Sequence, residues 1–441
     1  MTDSSDWQGF EPQAGFSAER VQSAGDGYSH TDEPYTRFQY DPLDPLIAPY
    51  RGLDYEGFAR VRTDHPLIQH VIGTWRERLA QPFAGVTSDG RLIEGLYQEP
   101  EPAEADAAPT AAMTAAAEAL DALLSDAERE RLHYDLDAEE WRCWSNPEFL
   151  VYRVGLRLEE QTPEQIEGIL AVIRASLSPV GYERLVTTMR LNAYLGSLLE
   201  LPQALGEYSY QFSIYGRPSL DEPWGWQLFG HHIAVNVLVA GRREVIAPVF
   251  LGAEPNEMPG NDAVAFKERQ RTALELAHSF TPAQRAKAVV YESMRDPRMP
   301  EGRLHPLDER HLAGAFQDNA VIPYEGVRLD ELDEHQRRLV MTIAADQLAL
   351  LPEGPLRVKL REIREHLDDT WFCWIGEIGD DGRTPFYFRI QSPVYLAEFD
   401  HHAGVWLSNA TPEVFHTHTT LRYPNGNDYG RAIVARWRAG S

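Results

Sequence analysis

The chain has 441 residues, of which 43% are hydrophobic and 25% charged, so it carries enough apolar material for a large folded core. Its 68 acidic residues outnumber 41 basic ones and give a formal net charge of −27, which disfavours nucleic acid and anionic membrane surfaces as partners. The two cysteines, Cys143 and Cys373, are far apart in sequence, so neither a disulfide framework nor a thiolate metal cluster is expected.

Residues 1–55 are rich in Ser, Gly, Asp, Pro and Tyr without sustained periodicity, which predicts an irregular N-terminal arm. The opening MTDSSDWQGF lacks the positive start and apolar stretch of a secretion signal. No later stretch is apolar over the roughly 18 residues that a membrane-spanning helix needs. We therefore expect a soluble, cytoplasmic protein that acts on a small molecule, in an oligomeric state that the sequence leaves open.

Residues 56–441 are predicted to form one domain, which begins with a mostly helical part over 56–204. Two helix starts, at Thr162 and Thr281, combine a capping Thr, a proline at the first helical position and a Gln that closes the capping box. The second start lies in a segment, 265–366, that is predicted as a helical insertion. No internal repeat is evident.

Two strand-rich blocks, 205–252 and 370–421, flank that insertion. Both blocks carry candidate site residues, which favours their pairing in one antiparallel or mixed sheet, or in two facing sheets. The predicted fold class is therefore α+β, with the sheet packed against the N-terminal helices and the insertion.

Four strand segments, FYFRIQ, VYLAEFD, VFHTHT and FGHHIAVNVLV, each present one polar face. The polar positions are Tyr387, Arg389 and Gln391 in the first, Glu398 and Asp400 in the second, His416 and His418 in the third, and His232 and Asn236 in the fourth. Alternation of this kind is also expected of a sheet face that lies in water. The residue types nevertheless indicate a site, because solvated faces usually carry Lys, Glu and Thr.

The His-x-His of VFHTHT places two imidazoles on one side of a strand, about 6 to 7 Å apart at Cα, where both can reach one ion. Such a pair is also found as two ordinary surface or core histidines. The predicted metal ligands are His231, His232, Asp400, His416 and His418. A regular strand cannot direct both His231 and His232 toward one site. Either a bulge redirects one ring or only one of the two is a ligand. His232 is favoured because it shares its strand face with the polar residue Asn236.

The remaining site residues are assigned by their chemistry. Arg389 is predicted to hold a substrate anion, and Glu398 or Glu377 to act as the base. The predicted substrate-binding residues are Arg389, Gln391, Asn236 and Tyr387. Further histidines are ambiguous: His305 and His311 fit a metal site or a helix start with exposed charges equally well, and His401 and His402 fit a solvated turn or a supporting role.

Several segments, in the order in which they occur along the chain, resemble the domain of unknown function 3500 family. They include DEPWGWQLFGHHIAVNV, HLAGAFQDNAVIPYEGV, FYFRIQSPVYLAEFDHH and FHTHTTLRYPNGNDYG. The resemblance covers residues 80–435 and names no reaction. It implies that the GHH segment, Asp400 and the His-x-His belong to a shared pattern. The spacing after Asp400 differs from that of relatives, so no role for His401 or His402 follows from the resemblance.

Three functions fit these observations. A zinc ion on a His/carboxylate site could activate water for hydrolysis of a small polar or anionic substrate. The same ligands could hold iron or copper in an oxidoreductase or oxygenase. The non-enzymatic alternative is a sugar or small-molecule binding protein whose polar sheet face simply hydrogen-bonds its ligand.

Overall fold

The computed structural model describes residues 35, 38–40, 44–98, 100–259, 266–380 and 382–440. Most of the predicted N-terminal arm over 1–55 lies outside these residues. Its described part ends in a short 3-10 turn, Ala48–Tyr50, immediately before the first helix.

Over the described residues the chain forms eleven α-helices. They are α1 (Tyr55–Thr63), α2 (Pro66–Leu79), α3 (Thr110–Asp121), α4 (Asp126–Leu132), α5 (Pro163–Ser176), α6 (Pro179–Leu199), α7 (Lys267–Ser279), α8 (Pro282–Ala288), α9 (Glu334–Gln347), α10 (Glu353–Glu365) and α11 (Arg431–Gly440). The capping boxes predicted at Thr162 and Thr281 are present at the starts of α5 and α8. None of the helices in the described ranges combines the length and apolar character that crossing a bilayer would require.

The strands form a single twelve-stranded sheet. They are β1 (His133–Tyr134), β2 (Leu156–Arg157), β3 (Tyr210–Tyr215), β4 (Trp224–Gly230), β5 (Ile233–Ala240), β6 (Arg243–Ala253), β7 (Val289–Tyr291), β8 (Val327–Arg328), β9 (Trp371–Ile375), β10 (Tyr387–Gln391), β11 (Leu396–His401) and β12 (Thr417–Arg422). Their order is β1-β3-β4-β5-β6-β12-β11-β10-β9-β7, with β2 added to β3 and β8 added to β9. The sheet is mixed, because β1 and β7 run parallel to their neighbours and the other pairs are antiparallel. The α+β prediction is confirmed, and the two predicted strand blocks lie in one sheet.

The strand order reveals an internal repeat that the sequence analysis missed. Each neighbour relation within β1–β6 recurs within β7–β12, and the two halves meet where β6 pairs with β12. At that junction Val249 pairs with Leu421, and each of these residues occupies the same register position in its own half. The sheet therefore has an approximate two-fold axis through this residue pair.

Short stretches of sequence support the repeat. The segment GLRLEE enters α5 and the segment GVRLDE enters α9, each starting from a glycine with positive φ, at Gly155 and Gly326. A Cβ at either glycine would lie 2.0 Å from a carbonyl oxygen of the neighbouring strand, so glycine is required at both positions. Because the similarity is confined to such short segments, the repeat cannot be recognised from the sequence and becomes apparent only in the fold.

The sheet separates a layer of helices from a layer of irregular chain. On the helical side, Trp226 of β4 donates to Ser176 of α5 in the first half, and Phe372 of β9 contacts Phe280 after α7 in the second. On the opposite face lie the connection 135–155, between β1 and β2, and the longer connection 292–326, between β7 and β8. The predicted helical insertion over 265–366 is therefore helical at its two ends only, and its middle covers the polar face of the sheet.

Candidate metal centre

Three histidines meet on the covered face of the sheet, close to the junction of the two halves. His418 is the second residue of β12, His416 directly precedes that strand, and His232 is the second residue of the two-residue turn between β4 and β5. The prediction that His231 and His232 occupy opposite faces of a strand is wrong, because β4 ends at Gly230. The two turn positions hold histidines in place of Gly, Asn, Asp or Pro, and the apolar run that follows them concealed this turn.

The turn aims His232 by its backbone conformation. His232 has φ of 62°, which is uncommon for a residue other than glycine. Its N–H donates to the carbonyl of Asn146 at 3.1 Å, and its carbonyl accepts from the N–H of Gly252 at 2.8 Å. These two bonds tie the turn of the first half to β6 and to the connection 135–155.

The three rings converge through their Nε2 atoms. Nε2 of His418 lies 3.0 Å from Nε2 of His232 and 3.0 Å from Nε2 of His416. A tetrahedral ion with nitrogen ligands at about 2.0–2.1 Å separates those nitrogens by roughly 3.3 Å, so the observed separations are a few tenths of an ångström shorter. All three side chains are buried, with His418 no more than 3% exposed.

The hydrogen bond of His416 fixes its tautomer. Its Nδ1 lies 2.8 Å from the carbonyl oxygen of Ala403, which can only accept, so Nδ1 carries a proton and the lone pair of the neutral ring is on Nε2. Glu254 lies 3.8 Å from the same Nδ1 and accepts from the backbone N–H groups of Val405, Trp406 and Leu407. Glu254 therefore supports both His416 and the loop that precedes it.

Burial keeps the imidazoles of His418 and His232 neutral. It lowers the pKa of His418 well below its usual range, and the neighbouring histidines, led by His402, lower it further. Burial also lowers the pKa of His232 well below its usual range, with His231 and His416 adding to the effect. Neutral imidazoles at pH 7 are the form that binds a metal ion.

Gly252 makes room for two of the rings. It pairs with His418 across β6 and β12, and a Cβ at this position would lie 2.8 Å from Cδ2 of His418 and 3.0 Å from Cδ2 of His232. It would also lie 2.9 Å from the backbone oxygen of Thr417, which is not free to move away. The absence of a side chain here is thus a condition for the three rings to approach one another.

His231 stands behind the group and contributes no nitrogen to it. Its ring stacks on His232 at a centroid distance of 3.9 Å. Its Nδ1 lies 2.7 Å from Oδ1 of Asn192, and the amide nitrogen of Asn192 donates to the carbonyl of Gly206, so His231 is the donor in the first contact. His231 is therefore a buried histidine with its own hydrogen bond, and it supports His232 from the side.

A second group adjoins the first. It consists of His311, Asp400 and His402, which each offer a ligand atom within 4.8 Å of the others and are all buried. The ring of His402 packs against that of His418 at a centroid distance of 3.7 Å. Asp400 was predicted as a ligand of the histidine group, and the structure places it in this neighbouring group instead.

Asp400 is held from one side by a buried arginine. Nε of Arg310 donates to Oδ1 of Asp400 at 2.7 Å, and the same guanidinium donates to the carbonyls of His401 and Met294. Oδ2 of Asp400 lies 3.1 Å from Nε2 of His402. Burial raises the pKa of the Asp400 carboxyl, and the Arg310 guanidinium opposes that rise.

The other predicted catalytic residues have partners of their own. Glu398 accepts from the N–H groups of Leu312 and Ala313 and from the hydroxyl of Tyr387, at 2.7 to 2.9 Å. Glu377 is exposed beyond the end of β9, three strands away from β12 and outside the buried groups. The structure therefore does not bring Glu377 to the histidines, and it gives Glu398 a role in anchoring the connection 292–326.

The predicted substrate-binding residues are distributed along the sheet. Arg389 donates to Glu325 at 2.8 Å and to the carbonyl of Pro323, so its charge is already paired. Gln391 donates to the carbonyl of Ile322 at 2.6 Å. Asn236, on β5, accepts from the side-chain amide of Gln227 and donates to the carbonyl of Pro248 on β6. None of these contacts includes a histidine of either group.

The residues near the two groups that the sequence did not identify as site residues come from the connection 292–326. His305 and His311 are buried, and neither begins a helix, so the reading as an exposed helix start is wrong for both. Arg310 carried no signal, because irregular chain has no periodicity that would show which side faces the sheet. The one available signal was the density of His, Asp and Arg in HPLDERH.

A model of a family of proteins of unknown function, DUF3500, matches residues 106–431. The chain belongs to the DUF3500 family. The match spans both halves of the sheet and includes all six residues of the two groups in this DUF3500 protein. No curated protein and no solved structure matches the chain.

Proposed function

We propose that this DUF3500 protein is a metal-dependent enzyme that hydrolyses a small polar substrate, with a divalent ion held by His232, His416 and His418. The observation that carries the proposal is the convergence of three Nε2 atoms, with both separations from His418 equal to 3.0 Å. Two neutral imidazoles can form one N–H···N hydrogen bond between them. When three Nε2 atoms face one point, at least one lone pair remains without a donor, and a bound cation would satisfy it.

The number of ligands favours catalysis over a structural role. Structural zinc sites use four protein ligands, whereas catalytic sites use three and keep one position for water or substrate. Zinc in such a site supplies a water with a pKa near 7, ready to attack a carbonyl or phosphoryl group. The protein holds its nitrogens fixed through the Ala403 carbonyl behind His416 and the turn that bears His232.

The surroundings limit the substrate. The three histidines are at most 4% exposed, and the loop before His416, with Trp406 and Phe415, covers the start of β12. A substrate that reaches this site in the described conformation must be small. The paired charge of Arg389 removes the argument for an anionic substrate, so polarity is the property that the proposal retains.

Metal content and activity should be measured together on protein purified without chelator. We expect stoichiometric zinc, loss of the zinc ion held by the triad in His418→Ala, and unchanged zinc in His335→Ala, an exposed histidine on α9 that serves as the matched control. A screen of small esters, amides and phosphoesters should then show turnover that a chelator abolishes and added zinc restores. Full turnover by metal-free protein would contradict the proposal.

The identity of the ion also tests the reaction class. Stoichiometric iron or copper in place of zinc would contradict hydrolysis and indicate the oxidative alternative, since His/carboxylate ligands suit those metals as well. The absence of any stoichiometric metal in protein that is folded would leave the small-molecule binding protein as the remaining reading.

A further inference from the structure

We propose that His311, Asp400 and His402 form a second cation site beside the histidine triad, so that the complete centre holds two ions. One ligand atom from each of these residues lies within 4.8 Å of the other two. The two groups come from different parts of the fold: the triad from β12 and the β4–β5 turn, and this group from β11, its following residue and the connection 292–326.

Two imidazole nitrogens of this group lack protein partners where a cation would sit. Nε2 of His311 and Nε2 of His402 are both buried without a hydrogen-bond partner among the described residues. The 3.1 Å approach of His402 Nε2 to Asp400 Oδ2 thus lacks hydrogen-bond geometry. A buried polar atom left unpaired costs about 1–3 kcal/mol, so a shared cation offers a reason for several such atoms in one place.

The hydrogen bonds that do exist orient each ligand. Nδ1 of His311 lies 2.6 Å from the hydroxyl of Thr420, which leaves Nε2 as the nitrogen free to bind. Nε of Arg310 donates to Oδ1 of Asp400, whereas Oδ2, which accepts from the backbone N–H of Arg310 at 3.4 Å, lies on the side of His402. Hydrogen bonds of this kind behind imidazole and carboxylate ligands are the usual support of a metal site.

The chemistry of the ligands selects the ion. Two imidazole nitrogens and one carboxylate oxygen suit zinc, iron(II) or manganese(II) and do not favour calcium, which prefers oxygen ligands only. Asp400 supplies the negative charge that the triad lacks. The second site is therefore expected to accept a transition-metal dication and to discriminate against calcium.

The two sites are close enough to act on one substrate. His402 packs against His418 at 3.7 Å and lies 5.3 Å from His416, measured between ring centroids. In two-metal hydrolases, paired ions stabilise the attacking and leaving oxygens of a displacement. This part of the inference rests on the proposed function, since it requires an ion in the triad as well.

The test is the number of zinc ions bound per chain. Metal-depleted full-length protein should be titrated with zinc in a calorimeter, and the content of the loaded, desalted protein determined by elemental analysis. We expect two ions in the wild type and one ion in His311→Ala, with the remaining ion lost when His418→Ala is added. Circular dichroism should confirm that each variant is folded.

The outcomes separate this inference from the proposed function. One ion in the wild type that persists in His311→Ala but is lost in His418→Ala would overturn the second site and leave the triad intact. One ion that is lost in His311→Ala and persists in His418→Ala would overturn both the paired centre and the triad. Should His311→Ala fail to fold, binding of only one zinc by the wild type would by itself overturn the inference.

Discussion

The two halves of the sheet share a topology and differ in what they place on the covered face. At one set of equivalent register positions the first half has neutral groups and the second half has ionisable ones: Ser213, Gln227 and Asn236 against Cys373, Arg389 and Glu398. The connection over the first half places Trp141 against Gly225, whereas the connection over the second half brings Arg310 and His311.

The candidate metal centre combines residues of both halves. The triad takes His232 from a turn of the first half, and His418 from the last strand of the second half with His416 directly before that strand. Neither half alone contains all three histidines. The centre therefore depends on the junction of β6 and β12 and on the contacts that hold the two connections together.

The largest loss of stability is expected from replacing a carboxylate that binds residues of both halves. Asp318, from the second connection, accepts from Arg142 of the first connection at 2.9 Å and from Arg422 of β12 at 2.6 Å. Asp318→Asn should lower the free energy of unfolding by about 3 kcal/mol, because it removes the carboxylate that two buried guanidinium groups share and leaves Arg142 with Glu139 and Arg422 with Asp428 as their remaining partners. Urea unfolding at pH 7 measures it.

The matched control is Asp137→Asn, which removes an exposed partner of Arg438 and should cost at most about 1 kcal/mol. Since Arg422 and Arg142 lower the pKa of Asp318 against its burial, the stability that Asp318 contributes is present above the unfolded pKa and is lost as pH falls. Equal effects of the two variants at pH 7 would show that the halves are not held through Asp318.

A smaller effect is expected from making the second half resemble the first. Glu398→Gln replaces a carboxylate that accepts three hydrogen bonds by an amide whose NH₂ must face a donor. We expect a loss of about 1–3 kcal/mol in the free energy of unfolding. Tyr387→Phe removes one of the three donors and should cost less, and a larger cost for Tyr387→Phe would contradict this account of Glu398.

The approach of the triad rings can be tested through Gly252. Gly252→Ala inserts a methyl group between Cδ2 of His418 and Cδ2 of His232, and overpacking of this kind costs about 1–3 kcal/mol. Zinc affinity should fall at least tenfold while the secondary structure persists. The control, Gly73→Ala, adds a methyl group with no atom within 4 Å and should leave affinity unchanged. Unchanged affinity in Gly252→Ala would contradict the proposed ligand geometry.

The last effect lies in the second connection and is smallest at pH 7, because it grows only as the pH falls. Burial lowers the pKa of His305 to about 3, so the folded protein binds fewer protons than the unfolded chain below pH 6.5. Stability from this group is therefore lost as pH falls from about 6.5 toward 3, by about 1.4 kcal/mol per pH unit.

His305→Asn keeps an acceptor for the N–H groups of Leu307 and Asp308 and removes the titrating ring. The slope of the unfolding free energy against pH, measured between pH 4.5 and 6, should be smaller than in the wild type by about 1.4 kcal/mol per pH unit, the equivalent of one proton. A slope equal to that of the wild type would show that His305 is protonated in the folded protein.

Several parts of this architecture were predictable because they follow from periodicity. Alternation placed Glu398 and Asp400 on one face and Phe399 on the other, and β11 has that arrangement. The two strand blocks and the α+β class followed from the same pattern. The proposed ligands His311 and His402 did not follow from it, since one lies in irregular chain and the other just beyond a strand.

The turn at His231 and His232 was hidden for a related reason. Turns are recognised by Gly, Asn, Asp or Pro, and here two histidines occupy the turn while the apolar run continues after it. The pairing of Arg389 with Glu325 joins residues from separate segments and depends on the path of the second connection. Contacts between residues that are distant in sequence can be recognised only once the fold is known.

X-ray absorption at the metal K edge, on untreated wild-type protein with a stoichiometric ion, tests the central claim most directly. The account predicts a first shell that contains imidazole nitrogens at about 2.0–2.1 Å. In the His416→Ala, His418→Ala double variant it predicts loss of the ion held by the triad and a changed first shell, with any remaining imidazole scattering coming from an ion on His311, Asp400 and His402. A first shell of oxygen alone, or a spectrum that the double variant leaves unchanged, would contradict a metal centre on His232, His416 and His418.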